Sequence, residues 1–133
     1  MNVTFDTNVL LSSTLWDGSS SQKLLFKLIK SDSTIASSKE IIDEYQKVLK
    51  RDFDYTDEET ANILKKVFEF ITLVAPTEQI NIIKEDSTDN RIIECAITAK
   101  SQYIITYDKH LLKIKEYKNI KILKPEELNQ IMR

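Results

Sequence analysis

The run Gln102-Tyr103-Ile104-Ile105-Thr106-Tyr107-Asp108 is apolar at consecutive positions and ends in an acid. A strand with one wet face alternates apolar and polar residues, whereas a continuously apolar strand is covered on both faces. Such sheets are mostly parallel, and parallel strands need long crossovers, usually helical. This segment therefore demands helices on either side of it. The chain supplies them. Short β-rich runs at residues 2–6, 34–36, 72–75 and 120–123 alternate with helical patterns, and no repeat, linker or low-complexity tract interrupts the series. The expected fold is α/β: three layers, α/β/α, around a mainly parallel, roughly five-stranded sheet, with right-handed crossovers and one domain over 1–133.

The helical patterns are specific. Residues 21–31 place Leu24, Leu25, Leu28 and Ile29 on one face. Ser37-Ser38-Lys39-Glu40 reads as a capping box, Ser37 at the cap, opening a helix to about Arg51 with Ile41, Ile42, Tyr45, Val48 and Leu49 inward. Thr56 and Glu59 form a second box, before a helix with Leu64, Val67, Phe68 and Ile71 inward. Pro76 bounds residues 72–75, which suit a strand of an inner sheet, while 79–83 fit a strand or a helical turn equally. Residues 91–100 are amphipathic, with apolar positions at 92, 93, 96, 97 and 99. A short helix is expected over 109–117, and Pro125 opens the last helix.

The composition, 41% hydrophobic and 30% charged, is that of a globular protein and excludes a disordered tail. No apolar run reaches the length of a membrane span, and the start of the chain reads as a strand, not a signal core. Cys95 is the sole cysteine, which suits a reducing, cytoplasmic setting and a core position better than a nucleophile. With His110 as the one histidine, thiol or serine catalysis has no base in view. The net charge is −2, yet Lys109 to Lys124 holds six lysines against Glu116 alone. That tract, with Lys109, Lys113 and Lys121, is a phosphate-facing surface or an ordinary solvated face.

Acids recur where an open α/β sheet carries its function, beyond the carboxyl ends of the strands. Asp6 and Asp108 each end a strand. On a helical wheel Asp89 falls at about 60°, within the inward stripe of Ile92, Ile93 and Ala96, while Glu94 falls at about 200°, on the outside. In the helix after the second strand Glu44 borders the buried stripe, Asp43 points to water and Glu40 lies farther out. Each acid has a plain alternative: Asp89 as relief for a helix dipole, Asp6 and Asp108 as helix caps. Clustered carboxylates repel unless cations neutralise them. A hard ion such as Mg²⁺, taking carboxylates, waters and a phosphate, does so. It can also activate water for phosphodiester hydrolysis without a protein nucleophile.

Four segments, Phe5-Asp6-Thr7-Asn8-Val9-Leu10, Glu44-Tyr45-Gln46-Lys47-Val48-Leu49, Asp86 to Ala96 and Tyr103 to Leu112, resemble in order and spacing the PIN-domain ribonucleases. They are most similar to the small bacterial and archaeal PIN-family toxin components of toxin–antitoxin systems. The resemblance implies a Mg²⁺- or Mn²⁺-dependent endoribonuclease with Asp6, Glu44, Asp89 and Asp108 as metal ligands and catalytic acids. It also implies supporting roles for Asn8, Asn90 and Thr106, and a weaker one for Asp86. The partners it implies are an RNA substrate, a cognate antitoxin that would bury Trp16 or the Leu24–Ile29 helix face, and a second copy in a homodimer. Thr88 and Tyr107 depart from the family pattern, where an Asp and a Gly are usual; Tyr107 would narrow the site or stack on a base.

Two other readings compete. A haloacid-dehalogenase-type phosphatase also begins with an acid after its first strand, but needs a second acid two residues on, where this chain has Asn8. A receiver domain lacks its phosphorylatable Asp, since Pro76 follows the third strand. A PIN-like module that binds RNA or a partner without cutting is the remaining alternative.

Overall fold

The computed structural model describes residues 1–77 and 90–133, and of 87–89 the backbone alone. Residues 79–83, Glu85 and Asp86 lie outside the described residues. The described residues form six strands: β1 (Asn2–Phe5), β2 (Thr34–Ser38), β3 (Ile71–Val74), β4 (Tyr103–Ile105), β5 (Glu116–Tyr117) and β6 (Ile120–Leu123). The helices are α1 (Thr7–Leu15), α2 (Ser20–Lys30), α3 (Lys39–Asp52), α4 (Asp57–Val67), α5 (Ser87–Thr98), α6 (Lys109–Ile114) and α7 (Pro125–Ile131). The sheet order is β3-β2-β1-β4-β6-β5, all parallel except the β5–β6 pair. The mainly parallel α/β/α sheet expected of the sequence is present.

Alternation along each strand divides the core in two. Val3, Phe5, Ile35 and Ile105 face Leu10, Leu24, Leu28, Tyr45 and Leu128 of α1, α2, α3 and α7. On the other face Ala36, Ile104 and Ile122 meet Ile92, Ile93 and Ala96 of α5 and Leu111 of α6. Helix α3 contributes to both, sending Ile41 to the second and Ile42 to the first. The apolar run at residues 102–108 is thus covered on both faces, for the reason its pattern implied. No helix among the described residues is long and apolar enough to cross a membrane.

Several local expectations are corrected. The cap of α3 is Ser38, whose hydroxyl accepts the Ile41 N–H at 3.4 Å, and not Ser37. Pairing of β2 with β3 continues to Ser38, so the strand holds Ser37 extended and delays the helix by one residue. The third strand joins the inner sheet as expected; among the described residues it pairs with β2 only, at the end of the sheet, and Leu73 is 51% exposed. Ile29 and Phe68 are exposed, not inward, and Ile71 belongs to β3. Helix α6 stops at Ile114, because Lys115 takes φ 67°. The chain then forms a tight hairpin whose two central residues, Lys118 and Asn119, both have positive φ, the geometry that fits the twist of paired strands. The Thr56–Glu59 capping box is present as read.

Burial makes a direct test. Ile104→Ala on the central β4 strand, where the side chain is wholly buried, is expected to lower stability by about 2–5 kcal/mol in urea unfolding. Leu73→Ala on the edge should cost about 1 kcal/mol or less.

Candidate active site

The chain leaves β1 outward to β2 and β3, then returns to β4 on the opposite side of β1. The crevice between the carboxyl ends of β1 and β4 is therefore the topological switch point, the usual ligand position in open α/β sheets. The register pairs Phe5 with Ile105, so Asp6 and Thr106 leave the sheet side by side. Asp6 N–H donates to the Ile105 carbonyl at 2.9 Å, and Thr106 N–H to Leu123. By alternation both side chains turn toward the α5 layer.

Thr106 joins the two strand-end acids. Its buried hydroxyl donates to Asp6 Oδ2 at 2.6 Å and accepts the Asp108 N–H at 2.9 Å. Asp6, 5% exposed, also caps α1, taking the Thr7 N–H on Oδ1 at 2.7 Å. Asp108 caps α6, taking the His110 and Leu111 N–H groups on Oδ1 at 2.7 and 3.3 Å. The capping reading of both acids is thus structurally true. It engages one oxygen of each carboxylate; Asp6 Oδ2 is aimed by Thr106, and Asp108 Oδ2 takes no hydrogen bond from a described residue.

The other sequence candidates are unevenly placed. Asn90 is buried in the first turns of α5 at 3% exposure, next to the backbone position of Asp89, whose side chain is outside the described residues, as is Asp86. Glu44 is half-buried on α3, with no hydrogen bond or ion pair to another described residue, while Asp43 points to solvent and pairs with Lys39 at 2.8 Å. Asn8 is exposed on α1. Among the described residues no three Asp, Glu, His or Cys side chains meet closely enough to hold a metal ion. The described structure therefore joins Asp6, Thr106 and Asp108 and does not by itself bring Glu44 to them. Tyr107 does not lie free over the acids: its hydroxyl donates to the Glu126 carboxylate of α7 at 3.0 Å. Burial, with help from Glu126, raises its phenol pKa.

One expectation about α5 fails. Glu94 is not outside but 5% exposed and ion-paired with Arg91. A wheel with one buried stripe assumes one packing partner, whereas α5 packs on β1, β2 and β4 and also along α3. The i, i+3 spacing of Arg91 and Glu94 was the available signal for that pair. Cys95 is fully buried near Thr4, and burial pushes its thiol to about 12. It is a core residue, as expected.

The chain belongs to the PIN-domain family, whose profile matches residues 2–110. No curated protein matches the sequence. Among solved structures it is similar to the VapBC2 complex of Rickettsia felis, bound to a DNA fragment from its promoter. The TM-score is 0.67 at 17% identity, over 92% of this chain and 97% of that one. It is similar also to VapBC-1 of nontypeable Haemophilus influenzae, with a TM-score of 0.68 at 17% identity, over 95% and 99%. At such identity these likenesses establish the fold.

Thr106→Val leaves Asp6 Oδ2 and the Asp108 N–H without their shared partner. It is expected to cost about 1–3 kcal/mol in chemical denaturation, and Thr106→Ser much less. For Cys95, the raised thiol pKa means that the folded state retains a proton the unfolded chain releases. Its contribution to stability is complete below the ordinary value of 9.0 and is lost as pH rises toward about 12. Iodoacetamide at pH 8 should accordingly modify Cys95 far faster in urea than in native protein, as read by mass spectrometry.

Proposed function

We propose that the protein is a divalent-metal-dependent endoribonuclease, with Asp6, Glu44, Asp89 and Asp108 as its acids, acting as the toxin of a toxin–antitoxin pair. The observation that carries this reading is the Asp6–Thr106–Asp108 junction at the switch point of a PIN-family chain. The donors there are all oxygen, the choice of a hard cation such as Mg²⁺ or Mn²⁺, and Mg²⁺ needs only one or two carboxylates. The buried Thr7 hydroxyl, next to Asp6 in the chain, has no hydrogen-bond partner among the described residues, which leaves one more oxygen at this end of the sheet. Asp6 and Asp108 would hold the ion, with Glu44 and Asp89 completing its surroundings directly or through water. When bound, such an ion lowers the pKa of water and offsets charge on the phosphodiester oxygens.

The residues of the chain do the rest. Thr106 fixes the rotamer of Asp6, so that a carboxylate oxygen is preoriented rather than searching. Helix capping restrains Asp108 in the same way. Neither acid then spends rotamer freedom when the phosphate arrives. In this reading Asn90 would support the acids and the α6 lysines would attract the strand.

The protein would work in the cytoplasm, as one domain, beside a cognate antitoxin. The similarity of its fold to chains of VapBC complexes supports such a partner, and a homodimer is part of the same proposal. Exposed Trp16, packed edge-on against Phe53 at 5.8 Å, is available for burial by either. Asp6→Asn and Asp108→Asn should each lower Mg²⁺-dependent cleavage of single-stranded RNA by at least about 100-fold, and EDTA should abolish it. Metal-independent cleavage at equal rates in wild type and Asp6→Asn would refute the proposal. RNA binding without cleavage at any Mg²⁺ or Mn²⁺ concentration would favour a non-cutting binding module.

A further inference from the structure

The six lysines between 109 and 124 are not one uniform face. Lys109, Lys113, Lys115 and Lys124 wall a single groove between α6 and the end of β6, floored by Leu112 and Ile122. Lys121 does not line it. All four groove lysines are exposed, and none forms an ion pair with a described residue. The one acid on the wall, Glu127, already accepts the Lys124 N–H at 3.0 Å. This positive concentration sits on a chain whose net charge is −2, so a polyanion is drawn to this groove and not to the surface at large.

One end of the groove lies next to an acid along the chain, since Lys109 is the first residue of the helix that Asp108 caps. Lys109 directly follows Asp108, and Lys113 stands one turn farther along α6, about 6 Å on. That is the scale of one nucleotide step. The volume, about 630 Å³, is that of a small-ligand site, room for a nucleotide or two of a single strand. We propose that this lysine-walled groove carries the phosphates of single-stranded RNA flanking the bond held at Asp6 and Asp108, as a subsite that grips the strand without taking part in bond cleavage. The apolar floor under the lysines lets a base or sugar lie between phosphate contacts. As a subsite of a nuclease the inference rests on the function proposed above; as an RNA-binding groove it is separately measurable.

The test uses the full chain and fluorescein-labelled RNA. Binding of an octanucleotide is followed by anisotropy against salt in an Asp6→Asn background, with and without Lys113→Gln/Lys124→Gln. The double variant should bind about tenfold more weakly at 0.1 M salt, and its log–log salt slope should fall by about 1.4, about 0.7 per lost phosphate contact on a single strand. In the cleaving background it should raise KM for the octanucleotide and leave kcat unchanged, while a dinucleotide is cut as by wild type. Lys121→Gln should change none of these, and unchanged melting should confirm that each variant folds. An unchanged salt slope and KM in the double variant would overturn the groove even if RNA is cut. Retained RNA binding together with lost capture of an acidic peptide would overturn it in favour of a protein ligand. Loss of RNA binding in the double variant, beside a wild type that binds RNA but cuts nothing, would sustain the groove and refute the nuclease.

Discussion

One threonine hydroxyl ties the candidate site together. Thr106 gives its proton to Asp6 and its lone pair to the Asp108 N–H, so the ends of two neighbouring strands share one oxygen. That is available only because β1 and β4 are adjacent and in register, Phe5 beside Ile105. Adjacency in turn follows from the return crossover, which brings the chain back past β1 after β3. The site is therefore a consequence of sheet order and not of any local motif. Remove the pairing, and Asp6 and Asp108 are two unrelated helix caps a hundred residues apart.

Burial sets the terms for the charges gathered there. A carboxylate at 5% exposure cannot stay ionised without donors or cations, and Asp6 receives the Thr7 N–H, the Thr106 hydroxyl and the positive end of α1. Glu94, equally buried, pairs with Arg91. Asp108 is less enclosed and keeps an oxygen free of described donors. Capping and metal binding do not compete in this arrangement, since each acid spends one oxygen on its helix. The same economy holds at α6, where the acid begins the helix and the lysines follow on its surface.

Much of this was legible in residues alone, and the failures have physical causes. The doubly covered β4 strand, the edge-to-edge succession of strands and helices, and the acids ending β1 and β4 follow from patterns with one structural solution. Sheet order did not, because it depends on long-range pairing, so nothing in residues 72–75 marked β3 for the end of the described sheet. Glu94 was misplaced because a helix wheel knows one buried side and α5 has two. Ser37 lost the cap to Ser38 because strand pairing outran the capping signal by one residue. The lysine tract read as one face because its backbone changes from α6 to a hairpin at Lys115, a break marked by no glycine. Thr106 was found only through the family likeness, since a threonine in an apolar run carries no signal of its own.

The central claim is that these acids share a hard divalent cation, and direct ion binding tests it without reference to any RNA. Titration of the wild-type chain with Mn²⁺, followed by electron paramagnetic resonance of the free ion, should show a saturable site that Mg²⁺ displaces. That site should be lost in Asp6→Asn and weakened in Asp108→Asn, while both variants remain folded. Equal Mn²⁺ uptake by the wild type and by a folded Asp6→Asn protein would contradict the account.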